Sequence, residues 1–365
     1  MLAEDDIKFM RRCLELAISA EGFTYPNPMV GSVIVHKGLI IGEGFHLKAG
    51  APHAEENAII SVKDKALLRD SALYVNLEPC SHLGRRPPCS DLIISVGIRK
   101  VVIGTIDSSD KVSGKGKEKL ESAGCEVVTG VLEDECRYLN RRFFTFHEKR
   151  RPYIVLKWAQ SADGFIDIER DKNSERKPTW IIGKAERVLV HKWRASEQSI
   201  LAGAGTIRSD NPDLTVRDWT GKSPLRLVLS GSGDLGNSQP LFRTIGTNIV
   251  FTHNESAHIP DSMIVKMDKD RDSLIQVTEY LYNAGIQSVI IEGGAQVLNN
   301  FISTGLWDEA RIFYGNKNFM KGIRAPGIKG KIHSVTKFSS STLKVILNER
   351  KGEDVDPIDK FNKYI

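Results

Sequence analysis

The sequence has few of the features that mark special classes of protein. Five cysteines among 365 residues are an odd and sparse set, which argues against a disulfide framework. No apolar run approaches the length of a membrane span, and the first residues carry no basic and apolar secretory leader. These absences favour a cytoplasmic protein whose thiols stay reduced and available to bind a metal.

Neither sign of charge predominates in the sequence. The 51 basic and 46 acidic residues give a formal net charge of only +5, and both signs are interspersed along the chain. A nucleic-acid-binding protein more typically concentrates its basic side chains in one stripe. The balance therefore suits a small anionic ligand and gives little support to a nucleic acid. The chain length itself predicts two domains.

The predicted elements alternate between helices and short apolar strands on both sides of a charged stretch at 147–152. Before it, an amphipathic helix at 5–20 and a hairpin at 30–45 lead into alternating strands and helices. After it, a pattern of the same kind restarts. Such alternation predicts layered α/β domains, here 1–147 and 150–365.

One histidine, one glutamate and two cysteines form the most informative pattern in the chain. An imidazole (His53) and two thiolates (Cys80 and Cys89) can hold Zn²⁺ and leave the fourth position to a water, which the metal activates. Glu55, two residues past the histidine, can then move protons. Zinc nucleobase deaminases carry H-x-E followed by P-C-x-x-C, although here eight residues separate the cysteines. Each residue alone is ordinarily a core histidine, a surface glutamate or an inert thiol.

A second pattern lies in the other half of the chain. The Glu292-Gly293-Gly294 segment ends a predicted strand and opens a helix, where backbone N–H groups approach a phosphate closely. The Rossmann G-x-G-x-x-G fingerprint is absent after the first strand. Arg194 and Arg217 offer guanidinium groups that grip phosphate bidentately. These residues predict a nucleotide- or phosphate-binding domain, although glycines at such a turn are also common for steric reasons alone.

Together these motifs resemble those of the bifunctional riboflavin-biosynthesis deaminase-reductases of bacteria, over roughly residues 5 to 347. In the first half the resemblance rests on the following segments: Pro26 to Gly31, Gly42 to His46, His53 to Glu55, and Leu77 to Cys89. In the second half it rests on the following segments: Leu156 to Gly164, Trp180 to Gly183, Gly203 to Thr206, Asp210 to Pro212, Leu214 to Arg217, and Glu292 to Gly294. The eight-residue gap between the cysteines is the spacing of this family.

The resemblance implies a three-layer αβα cytidine-deaminase-like domain followed by a dihydrofolate-reductase-like α/β domain. It implies two reactions on a phosphorylated pyrimidine, 2,5-diamino-6-ribosylamino-4(3H)-pyrimidinone 5′-phosphate. The first is zinc-dependent hydrolysis of the 2-amino group, and the second is NADPH-dependent reduction of the ribosyl to the ribityl chain. It further implies a homo-oligomer, a dimer or tetramer, with neither a nucleic acid nor a membrane as partner.

Site residues follow from the same resemblance. In the first domain it implies zinc ligation by His53, Cys80 and Cys89, proton transfer by Glu55, and substrate contacts at Asn27, His46 and Arg85. In the second it implies catalytic roles for Lys157, Asp210 and Glu292. Its implied substrate contacts there are Arg194, Asp210, Leu214, Arg217 and Glu292. Its implied contacts with NADPH are Ala159, Trp180, Thr206, Ser230, Gly294, Ala295 and Gln296.

Some residues depart from the family pattern, and alternatives stay open. Pro178 stands where a substrate-contacting serine is common, and the segment 169–177 is unusually charged. The chain could therefore contain one inactive half, the reductase being the first candidate. A nucleic-acid-editing deaminase would share the zinc chemistry. A non-catalytic, zinc-stabilised nucleotide-binding module is the third alternative.

Overall fold

In the computed structural model, the described residues are 4–83, 87–109, 113–169, 179–235, 239–243 and 246–349. The chain divides into two compact units, of which unit 1 ends at Arg150 and unit 2 begins at Arg151. This division falls within the charged stretch at 147–152. No helix in the described ranges is long and apolar enough to cross a membrane. The predictions for Arg85, for Pro178 and for 170–177 lie outside the described residues.

Unit 1 is built on a sheet of five strands within the described ranges. The strands are β1 (Gly31–His36), β2 (Leu39–Phe45), β3 (Ser71–Leu77), β4 (Lys100–Thr105) and β5 (Glu126–Thr129). The helices are α1 (Glu4–Ile18), α2 (Ala54–Ser61), α3 (Cys89–Ser95), α4 (Lys115–Ser122), α5 (Glu133–Leu139) and α6 (Arg141–Lys149), with a 3-10 helix at Lys65–Asp70.

The sheet of unit 1 is covered on both faces. Its order is β2-β1-β3-β4-β5, with β1 antiparallel to both neighbours and the last three strands parallel. Apolar side chains of α2, α3 and α4 pack on one face, and α1 and α5 contact the sheet and each other. The nearly continuous apolar run of β3 is typical of a strand buried on both sides. The predicted three-layer αβα architecture is confirmed.

Unit 2 contains a nine-stranded sheet and a two-stranded one in the part that the structure describes. The strands are β6 (Tyr153–Gln160), β7 (Phe165–Ile168), β8 (Ser199–Gly203), β9 (Leu225–Leu229), β10 (Asn248–Thr252), β11 (Ser262–Lys266), β12 (Ser288–Ile291), β13 (Glu309–Gly315), β14 (Gly322–Arg324), β15 (Lys331–Lys337) and β16 (Ser341–Leu347). The helices are α7 (Lys184–Ser196), α8 (Ala204–Asp210), α9 (Pro240–Arg243), α10 (Ser273–Asn283) and α11 (Ala295–Ser303).

The large sheet runs in the order β11-β10-β9-β8-β12-β6-β13-β16-β15. Its first seven strands are parallel, and β16 and β15 are antiparallel additions at one edge. Alternate residues of β6 enter opposite cores: Ile154 and Leu156 join one apolar cluster, and Tyr153 and Val155 join the other. The carboxyl ends of β8, β9 and β12 lie at one edge of the sheet, which is where ligands bind in open α/β sheets.

Candidate active sites

Three elements of unit 1 bring the predicted metal ligands together. His53 is the residue before the first turn of α2, Cys80 follows the end of β3, and Cys89 is the first residue of α3. The Nδ1 atom of His53 lies 3.2 Å from the sulfur of Cys89 and 3.6 Å from that of Cys80. All three candidate ligand atoms lie within 4.8 Å of one another. In a tetrahedral zinc site, neighbouring nitrogen and sulfur ligands are about 3.5 Å apart.

The protonation of the two thiols also fits a bound cation. Hydrogen bonding from Cys89 lowers the pKa of Cys80, and the same contact raises the pKa of Cys89. Without a metal the thiolate is therefore favoured at Cys80 and the thiol at Cys89. A cation held between them allows both sulfurs to ionise, which is the form that binds zinc. The donor set thus fits a zinc ion in its composition, its distances and its charge.

Glu55 is buried beside these ligands and is only 3% exposed. Burial, assisted by the neighbouring Cys80, raises its pKa to about 7 in the metal-free chain. A carboxyl group that titrates near neutral pH is suited to both accept and donate a proton. The reading of Glu55 as a surface residue is wrong, because the first turn of α2 faces the metal ligands and not solvent.

Asn27 and His46 meet on the same side of unit 1. His46 is buried, and its Nδ1 lies 3.0 Å from the carbonyl oxygen of Pro52, while its Nε2 lies 3.0 Å from the amide nitrogen of Asn27. Burial lowers the pKa of His46, so the ring is neutral, donates to Pro52 and accepts from Asn27. The rings of His46 and His53 contact edge to face at 5.4 Å. The structure therefore places His46 next to a metal ligand and Asn27 next to His46.

The sequence motifs did not identify the residues that support this site. The side chain of Asn140 accepts from the backbone nitrogen of Met29 at 2.8 Å and donates to its carbonyl at 2.9 Å. Asn76 accepts from Gly31 nitrogen at 2.8 Å. Glu78 is buried two residues before Cys80 and accepts hydrogen bonds from the backbone nitrogens of Asp107, Gly114 and Lys117. Asn76, inside the apolar run of β3, offered a signal in the sequence, since buried polar groups need partners.

A compact charged cluster lies at the carboxyl edge of the unit 2 sheet. Glu292 follows β12 and is bound by Arg194 of α7 through two hydrogen bonds of 2.9 and 2.8 Å, a bidentate geometry. The ammonium of Lys157 lies 3.5 Å from the same carboxylate. Burial opposes ionisation of Glu292, yet Arg194 and Lys157 together lower its pKa to about 2. Burial also lowers the pKa of Lys157.

The loop after α8 carries the other predicted substrate contacts. Leu214 is 2% exposed, and the guanidinium of Arg217 lies 2.8 Å from Asp213. Arg194 links this loop to the charged cluster, since its second terminal nitrogen donates to the carbonyl of Thr215 at 3.0 Å. Asp210 ends α8 and accepts a hydrogen bond of 2.8 Å from Ser209.

A cavity of about 570 Å³ opens at the same edge of the sheet. Four predicted cofactor residues line it, namely Thr206, Ser230, Gly294 and Gln296. The buried hydroxyl of Ser230 has no hydrogen-bond partner in the described structure, and the amino end of α11 opens onto the cavity. An unsatisfied hydroxyl and a helix N-terminus are the groups that a dinucleotide with phosphates would engage.

The remaining predicted cofactor residues are placed differently. Ala295 is the first residue of α11, between two of the lining residues. Ala159 lies near the end of β6, and Trp180 is 54% exposed with the guanidinium of Arg187 stacked 4.5 Å from its ring centre. Neither Ala159 nor Trp180 is among the described residues that line the cavity. Their contact with a cofactor stays a prediction.

Comparisons with known proteins cover both units. Residues 3–105 match the cytidine and deoxycytidylate deaminase zinc-binding region, and residues 152–319 match the RibD C-terminal domain. Riboflavin biosynthesis protein RibD of Aquifex aeolicus is 38% identical over 88% of this chain and 90% of its own. RibD of Synechocystis is 35% identical over 99% of this chain and 96% of its own.

Solved structures agree with the sequence comparisons. The Thermotoga maritima diaminohydroxyphosphoribosylaminopyrimidine deaminase/5-amino-6-(5-phosphoribosylamino)uracil reductase superposes with a TM-score of 0.86 at 38% identity, covering 94% of this chain and 99% of that one. Acinetobacter baumannii RibD gives 0.85 at 29% identity, covering 95% and 99%. The predicted resemblance is confirmed, and the chain belongs to the RibD family, the bifunctional zinc-binding deaminases and NADPH-dependent reductases of riboflavin biosynthesis.

Proposed function

We propose that unit 1 hydrolyses the 2-amino group of 2,5-diamino-6-ribosylamino-4(3H)-pyrimidinone 5′-phosphate and that unit 2 reduces the ribosyl chain of the product. The observation that carries the proposal is the convergence of His53, Cys80 and Cys89 beside the buried carboxyl of Glu55. The anionic substrate also suits the charged cluster and the cavity of unit 2.

In unit 1, His53, Cys80 and Cys89 would hold the zinc. The ion would lower the pKa of a water and so make hydroxide available as the nucleophile at neutral pH. Glu55 accepts the proton of the attacking water, protonates a ring nitrogen, and then helps the amine to leave as ammonia. Burial raises the pKa of Glu55 above its ordinary value, which favours a carboxyl group that both accepts and donates a proton.

Asn27 and His46 orient the pyrimidine in this proposal. Because the amide nitrogen of Asn27 is directed at the ring of His46, its amide oxygen is left to accept a hydrogen bond from an N–H group of the substrate. His46 is in turn fixed by Pro52. We assign Arg85, outside the described residues, to the same substrate on the basis of the family resemblance alone.

In unit 2, NADPH would supply the hydride that reduces C1′ of the ring-opened sugar. Thr206, Ser230, Gly294, Ala295 and Gln296 bind the cofactor at the cavity, and we assign Ala159 and Trp180 to its remaining part.

Lys157, Asp210 and Glu292 position and polarise the sugar, while Leu214 and Arg217 bind the substrate from the adjacent loop. The side chain of Arg194 is only 11% exposed and donates to Glu292 and Thr215, whereas that of Arg217 is 50% exposed and pairs with the accessible Asp213. Arg217 is therefore the better placed of the two arginines to bind the phosphate.

The alternatives differ in what they expect of unit 2. A nucleic-acid-editing deaminase gives residues 150–365 no task, whereas residues 152–319 match the RibD C-terminal domain. An inactive reductase gives no reason for the paired Lys157, Arg194 and Glu292 beside an open cavity. We therefore favour two active sites. A homo-oligomer and a cytoplasmic location remain predictions.

The role of Glu55 is tested by Glu55→Gln, which keeps the shape of the side chain and removes its proton transfer. We expect unchanged zinc content and a loss of ammonia release of roughly 10²- to 10⁴-fold. Reduction of the deaminated pyrimidine by NADPH should persist. Glu56→Gln, at the next position of α2, is the matched control and should keep ammonia release. Wild-type deamination by Glu55→Gln would refute the assignment.

A further inference from the structure

His191 is a buried histidine of unit 2 that neither motif nor resemblance singled out. It lies in α7, one turn before Arg194, and is 5% exposed. Its Nδ1 accepts a hydrogen bond of 3.1 Å from the backbone nitrogen of Arg217. Its Nε2 lies 3.7 Å from a carboxylate oxygen of Asp218. An Nδ1 that accepts requires a neutral ring with its hydrogen on Nε2.

The loop that His191 contacts has an unfavourable backbone. Between α8 and β9, Asn211 has φ 50 and Leu214 has φ 54, the left-handed region that residues other than glycine rarely adopt. Such a conformation persists only where its surroundings fix it. Because this loop also presents the guanidinium of Arg217, the groups that fix its backbone decide where that guanidinium lies.

Three side chains bind the backbone of this loop at consecutive residues. Arg194 donates to the carbonyl of Thr215 at 3.0 Å, and Ser223 accepts from the nitrogen of Val216 at 3.1 Å. The imidazole of His191 accepts from the next nitrogen, that of Arg217. Of these three groups, only the imidazole changes charge near neutral pH.

We propose that His191 is a positioning residue of the reductase site: its neutral ring fixes the backbone of Arg217, so that the guanidinium meets the substrate phosphate, and protonation of the ring releases that backbone. The inference rests on the assignment of Arg217 to the phosphate made above. The inference goes beyond that assignment in two ways. His191 acts on the substrate through Arg217, and substrate binding depends on the protonation of His191.

The charges around the ring favour its neutral form. Burial lowers the pKa of His191, and the positive charges of Arg194 on the same helix and Arg217 in the loop lower it further. Asp218 in the loop and Glu292 after β12 act in the opposite direction without reversing the shift. The folded ring is therefore neutral at and above its ordinary range. The contact with Arg217 is lost as the pH falls through the lowered pKa, on the acidic side of that range.

The test uses the full-length, zinc-loaded protein, the deaminated pyrimidine and NADPH. His191→Leu removes the acceptor, and we expect the KM for the pyrimidine to rise about tenfold, as the loss of one hydrogen bond predicts, with kcat and the KM for NADPH changed much less. His191→Asn places an amide oxygen where Nδ1 lies. It should recover most of the lost affinity at pH 8.

The pH dependence of the KM for the pyrimidine distinguishes a positioning role of His191 from a role in packing alone. In the wild-type protein the KM for the pyrimidine should rise on acidification, in part because the substrate phosphate itself titrates near pH ~6. His191→Asn should retain only the phosphate component, since its amide does not titrate. His258→Asn removes an exposed histidine of the same unit and should keep the full wild-type profile.

Arg217→Gln separates the two proposals. If it leaves the KM for the pyrimidine unchanged, the assignment of Arg217 fails and this inference fails with it. If Arg217→Gln raises that KM while His191→Asn titrates like the wild type, only the positioning role of His191 is overturned. Should His191→Leu not fold, the profile of His191→Asn decides alone. Adding His191→Leu to Arg217→Gln should produce little further rise.

Discussion

In unit 1 the metal ligands belong to a sequence motif, whereas the buried residues that support them do not. The ligand set His53, Cys80 and Cys89 could be predicted because metal chemistry restricts both residue type and order along the chain. Glu78 could not, since its partners are backbone nitrogens of Asp107, Gly114 and Lys117, at distances of 3.2, 3.0 and 3.0 Å. Contacts to a distant backbone leave no pattern in the sequence.

Glu78→Gln tests whether this anchor supports the metal site. An amide offers its nitrogen to donors that need an acceptor, so we expect the free energy of unfolding of unit 1 to fall by about 1–3 kcal/mol. Zinc should be lost to a chelator faster than from the wild type, with reduction of the deaminated pyrimidine intact. Thermal unfolding and metal content after dialysis measure both effects.

The control for that variant is Glu118→Gln, an exposed carboxylate in the first turn of α4. It removes the same charge near the same segment without touching the anchor. Equal zinc loss from both variants would mean that net charge, and not the three hydrogen bonds of Glu78, retains the metal.

Among helices and strands, those with strong apolar patterns could be predicted and several of those without such a pattern could not. β3 and β12 are buried apolar runs and follow the prediction. The helices α5, α6, α8 and α9 and the strands β7, β11, β14 and β15 were missed. Within the described residues, β14 and β7 pair only with each other and span three and four residues. Such strands are defined by a distant partner more than by their own composition.

The turn between β12 and α11 provides a test of the cofactor site. Gly294 has φ 75, and a Cβ there would lie 3.2 Å from the hydroxyl of Thr206. Gly294 also has ψ 122, outside the left-handed helical region, so Gly294→Ala should cost about 1–3 kcal/mol in backbone strain and place a methyl group at the mouth of the cavity. We expect a raised KM for NADPH and unchanged ammonia release, measured by separate assays.

Gly285→Ala is the matched control for strain alone. Gly285 has φ 72, and a Cβ there meets nothing within 4 Å. Both variants should therefore lose stability through backbone strain, while only Gly294→Ala impairs use of NADPH. A raised KM in both variants would attribute the effect to loosening of unit 2 and not to the cofactor site.

For the chain as a whole, the sequence predicted two α/β units and a division near 147–152 because composition and element order are properties of long segments. It did not predict the long antiparallel edge formed by β15 and β16. Among the described residues, the candidate metal cluster lies in unit 1, and the charged cluster of Lys157, Arg194 and Glu292 lies in unit 2. The two reactions should therefore respond differently to metal removal.

Treatment with a chelator tests this separation. Ammonia release from the diaminopyrimidinone phosphate should disappear and return when zinc is restored, whereas oxidation of NADPH with the deaminated pyrimidine should continue. A magnesium salt added in place of zinc is the control, because thiolates bind zinc and not magnesium. Parallel loss of both reactions would contradict independent sites.

The two-sided hydrogen bonding of the Arg194 guanidinium has a consequence for substrate selection. One planar group holds the carboxylate of Glu292 on one side and the carbonyl of Thr215 on the other. In the proposed reductase site, a shift of this loop toward the substrate phosphate would be transmitted through the guanidinium of Arg194 to Glu292. We therefore expect a dephosphorylated analogue to lose turnover as well as affinity, because the remote phosphate would then help to align the reacting carbon.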